Sequence, residues 1–456
     1  MNRVMRRARA LLILVLVLAI GVGLFVGEYF ARSGDWIMFP GSPHVYHAGN
    51  IGCGVIADAE GKLLLDLSDG RSYSANPMLN KAMIHWLGDR QGRISAPALA
   101  HYASLIAGFD PVGGLYDYGN DGGQVRLGIS AKVQMAALEA MGDYTGTVAV
   151  YNYKTGQLLC AVTTPNYDPD NVPDIEGDDT GQFEGVYLNR FIQSSYTPGS
   201  IFKIVTAAAA LECIPDIQSQ TFHCEGSVSY GADAVTCERD HGTLSFREAF
   251  TQSCNCAFAA IADQLGSERL QCFAEQFGVL DSVRFDGITT AAGNMEVVGQ
   301  APVQVAWSAI GQHKDLVNPC AYLTFIGAIA SDGAGVTPYL VSSIHAGGVP
   351  TYRAETEKRD RIMSTDTARI LREMLRANVE TYYGDENFPG LTVCAKSGTA
   401  EVGGDRKPNA MFTGFVMDEA YPLAFIVCIE DGGYGRPTCV PVLSKVLESC
   451  REMMDA

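Results

Sequence analysis

From Ala10 to Gly27 the chain runs 18 residues without a charged side chain (ALLILVLVLAIGVGLFVG), directly behind Arg3, Arg6, Arg7 and Arg9. A run of that length lies at the lower edge of what crosses bilayer hydrocarbon as a helix, and Tyr29 and Phe30 extend it with interfacial aromatics. A secretory leader shares the basic-then-apolar layout. Its apolar part is shorter, however, and ends at a small-residue cleavage site that this sequence lacks. The sequence therefore predicts a cytoplasmic tail over 1–9 and a transmembrane anchor over 10–30. The arginines hold the tail inside, which puts the body from about residue 31 on the outer face of the membrane.

That body is acidic. Lys and Arg number 33 against 51 Asp and Glu, a net charge of −18. Residues 1–32 hold five Arg and one Glu, which leaves 28 basic against 50 acidic side chains, or −22, for the rest. Nucleic-acid binding rests on clustered cations, so a nucleic-acid partner is excluded as an expectation. At 47% hydrophobic residues the chain can bury a large core. Thirteen cysteines are too many to ignore in an exported chain and odd in number. Cys160, Cys394 and Cys428 fall in strand-like apolar runs and read as small core residues.

Residues 31–145 read as a small mixed segment. GVIADAEGKLLLDL forms a hairpin about Glu60-Gly61, PALAHYASLIAGF an amphipathic helix, and residues 113–123 a glycine-rich loop. A second unit is predicted over 146–456. It opens on a hairpin (GTVAVYNYKTGQLLCAVTTP) turning at Thr155-Gly156. A helical middle follows, then three strands in series (LTVCAKSGTAEV, AMFTGFVM, LAFIVCIE) and a closing helix over VPVLSKVLESCREMM. Strands from both ends around a helical block make an α+β fold, an antiparallel sheet flanked by helices.

Within TPGSIFKIVTAAAALE, Thr197 reads as a helix N-cap, and Ser200 and Lys203 share one face of the first turn. A serine hydroxyl becomes a nucleophile when a base takes its proton, and Lys203 is within reach if burial or a nearby cation keeps it neutral. Ser253-Cys254-Asn255 follows 53 residues later in a helical region, and Lys396-Ser397-Gly398-Thr399 stands 143 residues beyond Ser253 in a strand. Lys154-Thr155-Gly156 has the third triplet's form but sits in a hairpin turn and reads as turn chemistry.

S-x-x-K, S-x-N and K-[ST]-G in this order resemble the set shared by serine β-lactamases and penicillin-binding proteins. From about 146 to 445 the chain is similar to the transpeptidase domain of class B penicillin-binding proteins, through NRFIQSSYTPGSIFK, SAIGQ, GAIASDGAGVTP and AMFTGF. AGNIGCGVIADAEGKLLL resembles that family's N-terminal pedestal without its usual arginines, and about 115 residues leave no room for a glycosyltransferase domain. The resemblance implies a peptidoglycan D,D-transpeptidase, with Ser200 as nucleophile and Lys203 as base. Ser253 and Asn255 would serve as proton relay and substrate contact, and Lys396, Ser397, Gly398 and Thr399 would bind the carboxylate and oxyanion. It further implies stem peptides ending in D-Ala-D-Ala as substrates, β-lactams as covalent inhibitors and a SEDS-type glycosyltransferase partner. A D,D-carboxypeptidase, a β-lactamase of the same fold and a catalytically silent wall-assembly scaffold are the alternatives.

Cys224, Cys237, His241 and Cys254 stand as C-x12-C-x3-H-x12-C. Three thiolates and an imidazole complete a structural zinc set. A Cys224–Cys237 disulfide, or unconnected thiols, are the other readings, and Cys256 and His223 are spare donors. Elongation-type class B enzymes are similar in carrying zinc here, the last ligand being the middle residue of the second motif. Catalysis itself needs no cofactor on this reading.

Overall fold

The computed structural model describes residues 2–39, 42, 45–68, 70–109, 112 and 122–456. Residues 113–121 of the predicted glycine-rich loop lie outside them. The elements that position the site are, in chain order, helices α1 (Asn2–Ile37) and α2 (Ala131–Met141), strands β1 (Gly146–Asn152) and β2 (Leu158–Thr164), and helices α3 (Lys203–Cys213), α4 (Asn255–Leu265), α5 (Pro319–Ala330) and α6 (Thr365–Asn378). Strands β3 (Val393–Ala400), β4 (Asn409–Val416) and β5 (Leu423–Ile429) and helix α7 (Gly435–Met454) complete the set.

Helix α1 is longer than the apolar run, and its side chains are exposed from Arg3 to Tyr29's neighbours while Ser33 is buried at its C-terminal end. Among the described residues it is the one helix long and apolar enough to cross a membrane.

The central sheet has the order β3-β4-β5-β1-β2, antiparallel throughout. Strands β1, β2, β4 and β5 and the first half of β3 place residues in two cores and not in core and solvent, whereas Ser397 and Thr399 of β3 face a cleft. Val148, Val150, Phe412 and Phe425 face a core that includes Val133 and Ala137 of α2 and Val446 and Leu447 of α7. Ala149, Tyr151, Met411 and Ile426 face the other core, with Phe325 and Ile326 of α5. Cys160, Cys394 and Cys428 are buried in β2, β3 and β5 as predicted. Helix α5 starts where its sequence says: Pro319 occupies the first turn and the Asn318 side chain accepts from the N–H groups of Cys320 and Ala321.

Two features cross the predicted boundary at 145/146. Helix α2 packs into the core of the central sheet through Val133, Ala137 and Met141. Conversely, Val341–Ala346 and Val349–Arg353 join a six-stranded N-terminal sheet with Gln124–Leu127, Val55–Ala57, Leu63–Asp66 and Ser72–Tyr73. The polypeptide thus returns to the N-terminal segment late in the chain, and that segment lacks a complete sheet without it. The hairpin at Glu60-Gly61 forms, but PALAHYASLIAGF is two short helices, Pro97–His101 and Ala103–Ile106, divided at Tyr102. The helical middle also holds strands, including Thr221–Cys224 paired with Gly242–Ser245.

Candidate active site

Three elements meet at the free edge of β3. Ser200 lies in a 3-10 turn, Gly199–Phe202, that leads into α3, so Lys203 opens the α-helix. Thr197 is not the N-cap, because no side chain caps this helix and Pro198 already has helical angles. Gly199 has φ +55°, and a Cβ there would stand 2.5 Å from Thr399 O, so only glycine lets the turn touch β3. Its N–H donates to Gly311 O at 2.8 Å, and Tyr322 Oη donates to Ile201 O at 2.7 Å.

Ser253 sits in the break between Phe246–Thr251 and α4. It has φ +53°, a left-handed conformation that costs a non-glycine residue about 1 kcal/mol or more. The preceding helix is fixed by a Ser245–Glu248 capping box, and Cys254 Sγ caps α4 by accepting from Ala257 N–H at 3.4 Å. A strained residue is therefore held between two well-defined helix starts.

The side chains form a continuous chain. Lys203 Nζ is 3.2 Å from Ser200 Oγ, 3.1 Å from Ser253 Oγ, and 2.6 Å from both Ser253 O and Asn255 Oδ1. Lys396 Nζ is 3.0 Å from Ser253 Oγ on the other side. The two carbonyl oxygens can only accept, so they take two of Lys203's hydrogens. A neutral amine then keeps a lone pair to accept from a hydroxyl. Asn255 is itself oriented by donating to Thr236 O at 2.7 Å.

Both lysines are fully buried. Burial pulls Lys203 down to about 8, and burial with the neighbouring Lys203 pulls Lys396 well below the ordinary lysine range. Two ammonium groups joined through one serine oxygen do not both stay charged near neutrality. A cleft of about 1170 Å³ opens onto this chain, lined by Ser200, Ser253, Asn255, Lys396, Ser397 and Thr399.

Residues 146–448 match the penicillin binding protein transpeptidase domain. The chain belongs to that family. It is a class B penicillin-binding protein with the serine acyltransferase type of fold. It is 30% identical over 339 residues to the peptidoglycan D,D-transpeptidase PbpA of Mycolicibacterium smegmatis, which covers 68% of each chain. Penicillin-binding protein A of M. tuberculosis, solved as a ceftriaxone acyl-enzyme, superposes with a TM-score of 0.76 at 25% identity, covering 87% of this chain and 98% of that one. The D,D-transpeptidase domain of a peptidoglycan glycosyltransferase from Eggerthella lenta also has a TM-score of 0.76, at 26% identity over 88% and 98% of the two chains.

In this penicillin-binding protein all three predicted motifs converge, whereas Lys154 stays exposed in the turn between β1 and β2 and is not among the residues that line the cleft. The four predicted metal donors also converge: the donor atoms of Cys224, Cys237, His241 and Cys254 lie within 4.8 Å of one another. His241 Nδ1 is 3.5 Å from Cys224 Sγ and 3.4 Å from Cys237 Sγ, and the Cys237 and Cys254 sulfurs are 3.9 Å apart. Tetrahedral zinc with its usual bond lengths sets such pairs about 3.5 Å (S to N) and about 3.8 Å (S to S) apart, so the donor set fits that ion. All thirteen cysteines are free, and the Cys224–Cys237 disulfide is not formed. The Cys237 thiol is pulled down, chiefly by its hydrogen bond with Cys254 and further by the Asn255 N–H at 3.2 Å.

Sequence reading missed Tyr383. It lines the cleft from a π-helical turn, Val379–Tyr383, and its hydroxyl meets the Ser397 N–H at 2.9 Å. A π-turn at the end of a helix near a cleft marks functional geometry, but it leaves no pattern in the sequence.

Proposed function

We propose that the chain cross-links peptidoglycan stem peptides as a serine D,D-transpeptidase and is acylated by β-lactams at the same residue. The observation that carries this reading is the run Ser200 Oγ, Lys203 Nζ, Ser253 Oγ, Lys396 Nζ, with steps of 3.2, 3.1 and 3.0 Å. The carboxylate of an incoming D-Ala-D-Ala end binds at Lys396, Ser397 and Thr399. Its negative charge draws the shared proton of the lysine pair to Lys396, which leaves Lys203 neutral. Ser200 Oγ then attacks the carbonyl of the penultimate D-Ala as its proton passes to Lys203 Nζ. The oxyanion is held by the N–H groups of Ser200 and Thr399, beside Gly398, a contribution of about 3 kcal/mol in enzymes of this kind. Ser253 relays the proton to the departing D-Ala, and Asn255 holds the donor peptide. The amine of a second stem peptide attacks the acyl-enzyme, which frees Ser200 and completes the cross-link.

Cys224, Cys237, His241 and Cys254 would hold a structural zinc ion. Bound there, the metal supplies a cross-link between the 221–245 hairpins and the Ser253 segment. Residues 1–9 remain cytoplasmic, 10–30 span the membrane, and the 31–145 segment carries the 146–456 transpeptidase unit outside it. A SEDS-type glycosyltransferase supplies the nascent strand. The chain's likeness to a peptidoglycan synthase complex, with a TM-score of 0.61 and 25% identity over 72% of this chain and 63% of that one, supports such a partner.

Labelling with a fluorescent penicillin tests the reading. Wild type should form a stable adduct and Ser200→Ala none. A wild-type protein that does not label sinks it, and rapid turnover of the adduct would instead mark a β-lactamase.

A further inference from the structure

Strand β3 is the outer strand of the central sheet, so the main-chain groups of every second residue point away from β4 with no strand to receive them. Three side chains from α6 and its π-helical extension fill that role in order. Arg376 Nη1 donates to Val393 O at 2.7 Å and Asn378 Nδ2 to Ala395 O at 2.9 Å. Tyr383 Oη accepts from Ser397 N–H at 2.9 Å. The covered residues are 393, 395 and 397, each two positions on. The next residue with the same outward aspect is Thr399, opposite Ser200, and there the cap ends.

The bonding at Tyr383 also sets the direction of a proton. Its oxygen already receives the Ser397 N–H and lies 3.0 Å from Ser397 Oγ, a pair in which either hydroxyl can donate. Tyr383 is buried, so its own hydrogen needs an acceptor, and Ser397 Oγ is the one within reach among the described contacts. Once Ser397 Oγ accepts from the tyrosine, its own hydrogen is free to turn into the cleft, which both residues line. The ring is held by an edge contact to Phe412 with centroids 5.1 Å apart, so the hydroxyl is fixed by packing from behind.

Resting on the function proposed above, we propose that Tyr383 is a positioning residue. It closes the edge of β3 at Ser397, so that substrate pairs only from Thr399 onward, and it turns the Ser397 hydroxyl into a dedicated donor to the substrate's carboxylate. The widened π-turn, closed by Gly384 N–H to Val379 O at 2.8 Å, inserts the extra residue that brings Tyr383 to this position.

The test compares acylation of the full-length protein by a fluorescent penicillin and by its methyl ester, which lacks the anionic carboxylate. Tyr383→Phe removes only the hydroxyl. The acid should acylate about tenfold more slowly than in wild type, the scale of one hydrogen bond to a charged group, and the ester less than about twofold more slowly. Ser397→Ala should show the same selective loss, and adding Tyr383→Phe to it should leave the acid-to-ester ratio unchanged. Equal losses on both probes would make Tyr383 merely structural and overturn the proposal, as would a wild-type ratio in either variant. Should Tyr383→Phe not fold, a wild-type ratio in Ser397→Ala still overturns the proposal. A wild-type protein that never labels removes the transpeptidase reading itself, and this proposal with it. A labelled wild type with an unselective Tyr383→Phe removes only the proposal.

Discussion

Lys203 Nζ lies 2.6 Å from the main-chain oxygen of Ser253, a residue held at φ +53°. The strained backbone is what turns that carbonyl toward the lysine, while the side chain of the same residue bridges to Lys396. Two substitutions separate these roles. Ser253→Gly and Ser253→Ala both lose the hydroxyl relay, so both should acylate at least about 100-fold more slowly, the usual scale for general acid–base assistance. Glycine relieves the left-handed strain and alanine keeps it, so the glycine variant should be more stable by about 1 kcal/mol. Penicillin labelling rates and melting curves on the two proteins check this, and an alanine variant as stable as the glycine one would contradict it.

The pH dependence follows from the lysine pair. At low pH both amines are charged and Lys203 cannot act as a base. Losing one proton gives the active form, and losing the second removes the charge at the carboxylate site. Acylation should therefore follow a bell, with both limbs below the ordinary lysine range. In Lys396→Ala the neighbouring cation is gone, so Lys203 should titrate alone and the rising limb should move up to about 8. Second-order acylation rates between about pH 5 and 10 measure both profiles. A rising limb in the variant at or below the wild-type position would refute the shared-proton account.

The parts of the site legible in the sequence are those set by short spacing. Ser200 and Lys203 meet because three residues make one helical turn, and the Lys396 strand announces itself by an apolar run with a lysine in its middle. The Cys and His donors were legible by type but not by outcome, since zinc, a disulfide and free thiols share the same spacing. The free thiols set the disulfide aside, and the four donor atoms lie within 4.8 Å of one another, which is what a metal would need. What the sequence hid is long-range or irregular. Val341–Ala346 falls within the predicted helical middle, yet it is a strand that pairs with Gln124–Leu127 some 200 residues earlier. The left-handed Ser253 and the π-turn at Tyr383 break local rules where packing overrides propensity, which is where functional geometry concentrates.

The shared elements make a truncation prediction. A chain beginning at residue 146 loses α2, and with it Val133, Ala137 and Met141, all fully buried against the central sheet. It also leaves Val341–Ala346 without its Gln124–Leu127 neighbour. Each apolar side chain is worth about 1–3 kcal/mol, so the loss is comparable with a typical total stability of about 5–15 kcal/mol. Residues 146–456 alone should be insoluble, or should melt about 10 °C or more below residues 45–456. Equal melting temperatures would show that the two segments are independent after all.

The thiol and imidazole cluster touches the active site through Cys254, which lies between Ser253 and Asn255 and caps α4. A metal bound there would fix the main chain on both sides of it. Protein purified under reducing conditions without chelator should carry about one zinc per chain, and Cys237→Ser should carry almost none. Because a ligand that binds only the folded state stabilises it, the variant and the chelated wild type should both melt several degrees lower. The Ser253 segment would loosen at the same time, so penicillin acylation should fall about tenfold in both, a scale similar to that of lost support around a metal site. Zinc analysis, melting and labelling on the same preparations decide it. Metal content near zero in wild type, with melting unchanged by chelator, would leave the cluster as free thiols and remove the metal from the account.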